Sequence, residues 1–145
     1  MDICYRAMQM RDYPALSAAW RSTPGIGISS ADSREGIAAF LDRNPEGGLI
    51  AEDSFGTIAG GVLVGHDGRR GYLYHLFVVP AYRNRGVAGK LVEEAIAHLN
   101  RQGIEKSHVF VFSENRQGRA FWKSLAWDER NDITVYSKQH SETVE

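Results

Sequence analysis

From Gly71 to Leu91 the chain reads GYLYHLFVVPAYRNRGVAGKL, and three patterns follow one another inside that stretch. Apolar and aromatic residues run through Val78 and Val79 to Pro80, the composition of a buried strand. Arg83, Asn84, Arg85, Gly86, Val87, Ala88, Gly89 and Lys90 come next, basic and glycine-containing. They lead into an amphipathic helix whose apolar positions are Val87, Leu91, Val92, Ala95, Ile96 and Leu99. A helix start leaves backbone N–H groups without intrahelical acceptors, and the aligned peptide dipoles place partial positive charge there. A strand, loop and helix in this order therefore suit an anion. Gly86 and Gly89 carry no Cβ and admit a ligand close to the backbone, while Arg83, Arg85 and Lys90 add formal positive charge. The stretch predicts a diphosphate cradle at the end of a buried strand.

Working outward, Asp67-Gly68 is a hairpin signal that pairs Gly71–Val79 antiparallel with the preceding strand, Thr57–His66. A turn at Asp53 and Gly56 joins that strand to Leu49–Glu52. Asp2–Ala7 alternates and predicts a first strand with Ile3 and Tyr5 on one face. Asp12 is placed to cap a helix with Pro14 in its first turn and Leu16, Ala19 and Trp20 on one side, Trp20 as core. Ser22–Ser30 is a loop whose Ile26 and Ile28 predict contact with a pocket or with a partner chain, as in a homodimer. A second helix starts at Asp32 or Ser33, buries Ile37, Phe40 and Leu41, and stops before Asn44-Pro45. Beyond the cradle, the helix ends near Gly103, Ser107–Ser113 is a strand, and Asn115–Leu125 is a short helix. A closing strand is expected near Ile133–Tyr136. The reading is α/β with a mixed sheet: one domain over residues 1–137 and a polar tail over 138–145.

A chain of 145 residues with 43% hydrophobic and 24% charged content is sized for one soluble core. The formal net charge of -1 argues against nucleic acid as a partner. Cys4 is the single cysteine, so no intrachain disulfide and no cysteine-based metal cluster can form; it is expected as a small buried core residue. His98 and His108 read as surface or edge groups, His140 as part of the tail, and no metal site is expected. There is no basic region followed by a long apolar segment, nor an apolar run of spanning length, which predicts a cytoplasmic protein without a membrane partner.

Neither the triphosphate loop GxxxxGK nor the dinucleotide pattern GxGxxG occurs in the right place. What occurs is V-x-P-x-x-R/Q-x-x-G-x-G/A, from Val78 to Ala88, and this resembles the acetyl-coenzyme A motif of the GNAT superfamily of N-acetyltransferases. The element order resembles that family over nearly the whole chain. The segment His66-Asp67-Gly68-Arg69-Arg70-Gly71 with its tyrosine-rich strand is similar to small bacterial stand-alone members of unassigned substrate. The resemblance implies a central, mostly antiparallel sheet with a splayed parallel strand pair and helices on both faces. It implies acetyl-CoA as co-substrate, held by Val78, Val79, Arg83, Asn84, Arg85, Gly86, Val87, Ala88, Gly89 and Lys90. Asn115, with Ala120-Phe121-Trp122 and Leu125-Ala126-Trp127, resembles the family's later signature. By that resemblance Asn115 contacts the pantetheine arm and Trp122 touches the same arm, while Asn115 is also suited to cap its helix. Two departures stand out: the family's general-acid tyrosine falls on Trp122, whose indole has no useful acidity, and its late glycine falls on Ala126. The strand Val109–Phe112 also lacks the carboxylate base of some relatives.

The implied reaction moves an acetyl group to a primary amine of a small molecule or peptide. The Val78 backbone N–H is the expected oxyanion donor. For the proton, strict alternation puts Tyr72 and Tyr74 on one strand face and His75 on the other. His75 has the more suitable ordinary pKa, and Tyr74 could relay through water. The missing acid and base leave open an acyl-CoA sensor with little or no turnover. A transferase acting on charged transfer RNA is disfavoured by the near-neutral charge.

Overall fold

A computed structural model describes residues 2–141. Strands β1 (Cys4–Ala7), β2 (Gly48–Glu52), β3 (Ile58–His66), β4 (Gly71–Val78) and β5 (Ser107–Val109) lie in chain order in one sheet. The first four pair antiparallel and β4 pairs parallel with β5. Helices α1 (Tyr13–Ser22) and α2 (Arg34–Arg43) separate β1 from β2, α3 (Val87–Arg101) makes the crossover that a parallel β4–β5 pair demands, and α4 (Arg116–Ser124) follows β5.

Each face of the sheet has its own core. Ala51, Ala59, Val62, Val64 and Leu73 pack against Val87, Leu91, Val92, Ala95 and Leu99 of α3. Ile50, Leu63 and Phe77 pack on the other face against Leu16 and Trp20 of α1 and Ile37 of α2. Trp20 is core, as its helical spacing predicts, with 2% of its surface exposed. Full burial of a side chain such as Leu91 contributes roughly 2 kcal/mol, so these two stripes hold both helical layers to the sheet. Gly65 has a local reason: a Cβ there would sit 2.9 Å from the Phe40 ring, so the glycine lets α2 settle onto β3.

One irregularity decides where the chemistry-bearing residues of β4 point. Gly61 pairs with Phe77 and Leu63 with Tyr74, so Val62 alone faces both His75 and Leu76. The extra residue is a β-bulge, and His75 takes the left-handed backbone conformation, φ +56°. Tyr74 meets Phe40 of α2 with ring centroids 6.3 Å apart, and His75 lies 4.9 Å from the Trp20 ring of α1. The expectation of opposite faces is therefore corrected: the bulge resets the alternation and brings both to the α1 and α2 side.

Other expectations are corrected as well. Cys4 is exposed rather than core, because Ile3 and Tyr5 take the inward face of the edge strand β1. His98 is buried, since it falls seven residues after Leu91 on the inward stripe of α3. Its ring engages Gln102, which also reaches His66, and burial, with Arg101 nearby, holds it below its ordinary pKa. Asp12 occupies the N-cap position of α1, but its carboxylate accepts from Arg6 at 2.9 Å and from the Gln9 N–H at 2.8 Å instead of capping. β5 stops at Val109, short of Ser113. Residues 133–136 form no strand: Ile133, Val135 and Tyr136 stay exposed, because the edge they would pair with ends after those few residues of β5. Of the polar tail, 138–141 are exposed and 142–145 lie outside the described residues.

Candidate active site

β4 and β5 are paired only from Gly71 and Ser107 to Leu73 and Val109, and then diverge. The bulge at His75 bends β4 at that point. Between the separated strands lies a cavity of about 580 Å³, walled by Leu73–Val78, by residues 109–112, by the loop 23–27, and by Ala88, Asn115 and Trp122. The Val79 N–H donates to the Ala59 carbonyl at 2.8 Å, so the neighbouring Val78 N–H, on the alternate side of the strand, points away from β3 into the opening. Val79 itself does not reach the cavity. Its N–H and C=O are both engaged, the latter by the Tyr82 N–H, and its side chain packs in the α1 and α2 core.

The predicted cradle is open. α3 begins after Gly86, which has φ +77° and provides no side-chain cap. The first full-turn bond runs from the Lys90 N–H to the Gly86 carbonyl at 3.1 Å, so the amides of Val87, Ala88 and Gly89 precede the intrahelical ladder. A Cβ added at Gly86 or Gly89 would meet nothing within 4 Å, so the groove is not filled by the protein's own side chains. Asn84 is also left-handed, φ +62°, which turns the chain sharply between Arg83 and Gly86. The approach is anchored: the Tyr82 hydroxyl donates to Asp53 at 2.6 Å, and Asp53 in turn accepts from the Phe55 and Thr57 amides. The cations are partly committed. Arg83 Nε donates to the Val78 carbonyl at 3.1 Å, the Arg85 guanidinium lies 5.4 Å from the Tyr82 ring centroid, and Lys90 pairs with Glu94 at 3.3 Å. Val87 buries its side chain in the α3 core and can offer a ligand only its amide. Among the predicted residues, Val78, Tyr74, His75, Arg83, Ala88, Asn115 and Trp122 line the cavity. Asn84, Arg85, Gly86, Gly89 and Lys90 belong to the turn and first helical residues around Ala88.

On α4, Asn115 caps the helix as its position predicts, its side-chain oxygen accepting from the Gly118 N–H at 2.9 Å. The loop 23–27 comes down onto it: a Cβ at Gly25, φ +90°, would sit 2.6 Å from the Asn115 amide nitrogen. Trp122 packs edge-on between Phe121 and Trp127. Ala126 has φ +66°, so the backbone that favours glycine is kept while the residue is not.

The opposite end of the cavity is aromatic. Tyr72 stacks with Tyr74 and with Phe110 at centroid distances of 6.3 and 6.2 Å, and Phe112 lies against Gly27. Burial, with Tyr72 nearby, raises the Tyr74 hydroxyl above its ordinary pKa, which makes it a poor proton acceptor near neutrality. A polar pair stands beside this row: His75 Nε2 lies 2.6 Å from Asp32 Oδ1. Burial pushes the Asp32 carboxyl up, but the His75 ring, the Ser29 amide and the field of Arg21 outweigh it and hold the group below the usual carboxylate value. Asp32 is the residue that sequence reasoning missed. It read only as the start of a helix, and nothing in a position 43 residues from His75 signals the contact. Among the described residues no cluster of His, Cys, Asp and Glu could hold a metal, and no helix is long and apolar enough to cross a membrane.

The same fold is found in solved acetyltransferases. A predicted acetyltransferase from Clostridium acetobutylicum, solved with acetyl-CoA, superposes with a TM-score of 0.69 at 16% identity, over 94% of this chain and 96% of that one. AAC(6')-Iy, solved with the bisubstrate analogue CoA-S-monomethyl-acetylneamine, gives 0.75 at 18% identity, over 96% and 99%. In sequence, an acetyltransferase of Pectobacterium atrosepticum is 33% identical over 130 residues, 90% of this chain and 91% of the relative. The sequence profile of the acetyltransferase (GNAT) family matches residues 13–127, the span from the first helix through Trp127. The chain belongs to the GNAT acetyltransferases.

Proposed function

We propose that the protein moves an acetyl group from acetyl-CoA directly to a primary amine, on a small molecule or a peptide, within one domain spanning residues 1–137. The observation that carries this is the uncapped, unfilled start of α3 opening beside a cavity into which the Val78 N–H points. The relatives solved with acetyl-CoA and with a bisubstrate analogue support it. The residues fit the cofactor: the amides of Val87, Ala88 and Gly89 suit a diphosphate, Gly86 leaves room for it, and Arg83, Asn84, Arg85 and Lys90 form the rim. Asn115 and Trp122, both on the cavity wall, would flank the pantetheine arm.

Acetyl-CoA, when bound, supplies an acetyl carbonyl activated as a thioester. The Val78 N–H is positioned to donate to that carbonyl oxygen as negative charge develops, a preorganised dipole of a kind worth ~3 kcal/mol. Enclosure between β4, the loop 23–27 and α4 holds donor and acceptor together, and positioning carries much of the rate. The Trp122 indole N–H can donate a hydrogen bond but cannot protonate the departing thiolate, so that proton comes from solvent or from the amine itself. His75 is the residue at hand to take the proton of the incoming ammonium, and Tyr74, which keeps its own proton near neutrality, can serve only as a relay through water.

The same Trp122, together with the absence of a carboxylate on residues 109–112, favours a second reading: an acyl-CoA sensor with little turnover. Calorimetry with acetyl-CoA and thiol-release assays against a panel of amines, amino acids and N-terminal peptides separate the two. Binding with amine-dependent release of free thiol is expected, and binding without release would leave the sensor.

A further inference from the structure

We propose that Asp32 and His75 form an orienting pair in which Asp32 fixes the ring of His75 so that Nδ1 accepts the proton of the acceptor ammonium. The proposal deepens the acetyl-transfer reading and rests on it.

The geometry is built from both sides. His75 owes its place to the bulge: its left-handed backbone turns the ring from the α3 face to the α1 face, where it leans on Trp20 and still borders the cavity. Asp32 is held before it meets the histidine. Its second carboxylate oxygen accepts from the Ser29 N–H at 3.0 Å, its carbonyl accepts from the Tyr13 hydroxyl at 2.6 Å, and the short turn Ser30–Asp32 aims it at β4. An ionised carboxylate only accepts hydrogen bonds, so at the 2.6 Å contact Nε2 must carry the hydrogen. In the neutral ring the lone pair then belongs to Nδ1, which has no hydrogen-bond partner among the described residues. Orientation and tautomer of a histidine are set in this way by the partner of its other nitrogen. The charged groups facing the pair are Asp32 itself and Arg21, with the Tyr13 hydroxyl on the Asp32 backbone.

The proton balance is simple. The acceptor ammonium gives one proton to Nδ1, directly or through ordered water, since three residues, roughly 10 Å of strand, separate His75 from Val78. The neutral nitrogen forms the C–N bond as the C–S bond breaks, and the electron pair leaves with sulfur. The second nitrogen proton goes to the thiolate, and the proton on His75 returns to solvent. Asp32 touches no reacting atom and is a positioning residue.

The test has a spectroscopic and a kinetic arm. In long-range ¹H–¹⁵N spectra of histidine-labelled protein, with the signal assigned by its loss in His75→Gln, the neutral ring should be the Nε2–H tautomer, and Asp32→Asn should disturb it. With any amine that supports thiol release, His75→Gln should lower kcat by about 10²-fold, the low end for a proton-transfer group. Asp32→Asn should lower kcat about tenfold with the acetyl-CoA KM unchanged, Asp32→Glu should recover part of the loss, and the double variant should be no worse than His75→Gln. Unchanged acetyl-CoA binding by calorimetry shows that each variant is folded, and Asp32→Glu serves if Asp32→Asn is not. An Nδ1–H tautomer, or wild-type kcat in His75→Gln, overturns the pair and leaves acetyl transfer standing. A wild-type protein that releases no thiol with any amine overturns both.

Discussion

The two ends of the cavity are made in opposite ways. The end proposed for the cofactor comes from consecutive residues, Pro80 to Lys90, whose backbone geometry supplies amides and whose Gly86 and Gly89 leave the groove open. The end proposed for the acceptor is assembled from positions far apart in the chain: Gly27 and Asp32 after α1, Tyr72 to His75 on β4, and Phe110 and Phe112 beyond β5. Backbone recognition tolerates exchange of most side chains provided the turn survives. Side-chain recognition does not, and it is at the proposed acceptor end that specificity is expected to reside.

The largest expected effect tests the backbone end. Gly86→Glu puts a side chain and a negative charge where a Cβ now meets nothing, on a residue with φ +77°. Acetyl-CoA affinity should fall on the order of 10²-fold or more, about 3 kcal/mol, with circular dichroism largely unchanged. Calorimetry showing undiminished binding would remove the contrast altogether. Next, Gly27→Leu should crowd Phe112, whose ring lies 3.1 Å from a Cβ at that position. Here kcat/KM for the amine should drop about tenfold from misplacement of the acceptor, while acetyl-CoA affinity holds. An equal loss of both would show that the loop serves the cofactor instead. A smaller effect is expected for Ala126→Gly, which relieves a left-handed alanine at φ +66° and should stabilise the fold by ~1 kcal/mol in urea denaturation without altering turnover. The smallest belongs to Trp122→Phe. If the indole is only a wall, turnover changes by less than about threefold, whereas loss of an acid catalyst would cost ~10²-fold.

The same contrast explains what was legible in the sequence. The strand, turn and helix proposed as the cradle are readable because their information is local: glycine spacing, helix periodicity and the strand before it sit within residues 71–99. The antiparallel pairing of β3 with β4 follows from a hairpin signal of the same range, while the parallel β4–β5 pair is implied by the family resemblance. Asp32 was not readable, because its partner depends on how the Ser29–Asp32 turn packs over β4. The facing of His75 differs from strict alternation because one residue of β4 is extra, and a bulge has no signature in a run of apolar and aromatic residues. The strand expected at Ile133–Tyr136 failed for a related reason: alternation shows that a segment can pair, not that an edge is waiting for it.

The bulge also predicts which length changes this chain can survive. Removing His75 would restore regular alternation, with Leu76 opposite Val62 and Phe77 still opposite Gly61 in the α1 core, and would take away the ring that now meets Trp20 at the cavity wall. One missing codon there would straighten β4 and remove the His75 ring together, whereas the exposed hairpin tip Asp67–Arg70 can vary in length at little cost. Natural variants of this chain should therefore carry their insertions and deletions at the tip and none between Tyr74 and Val78.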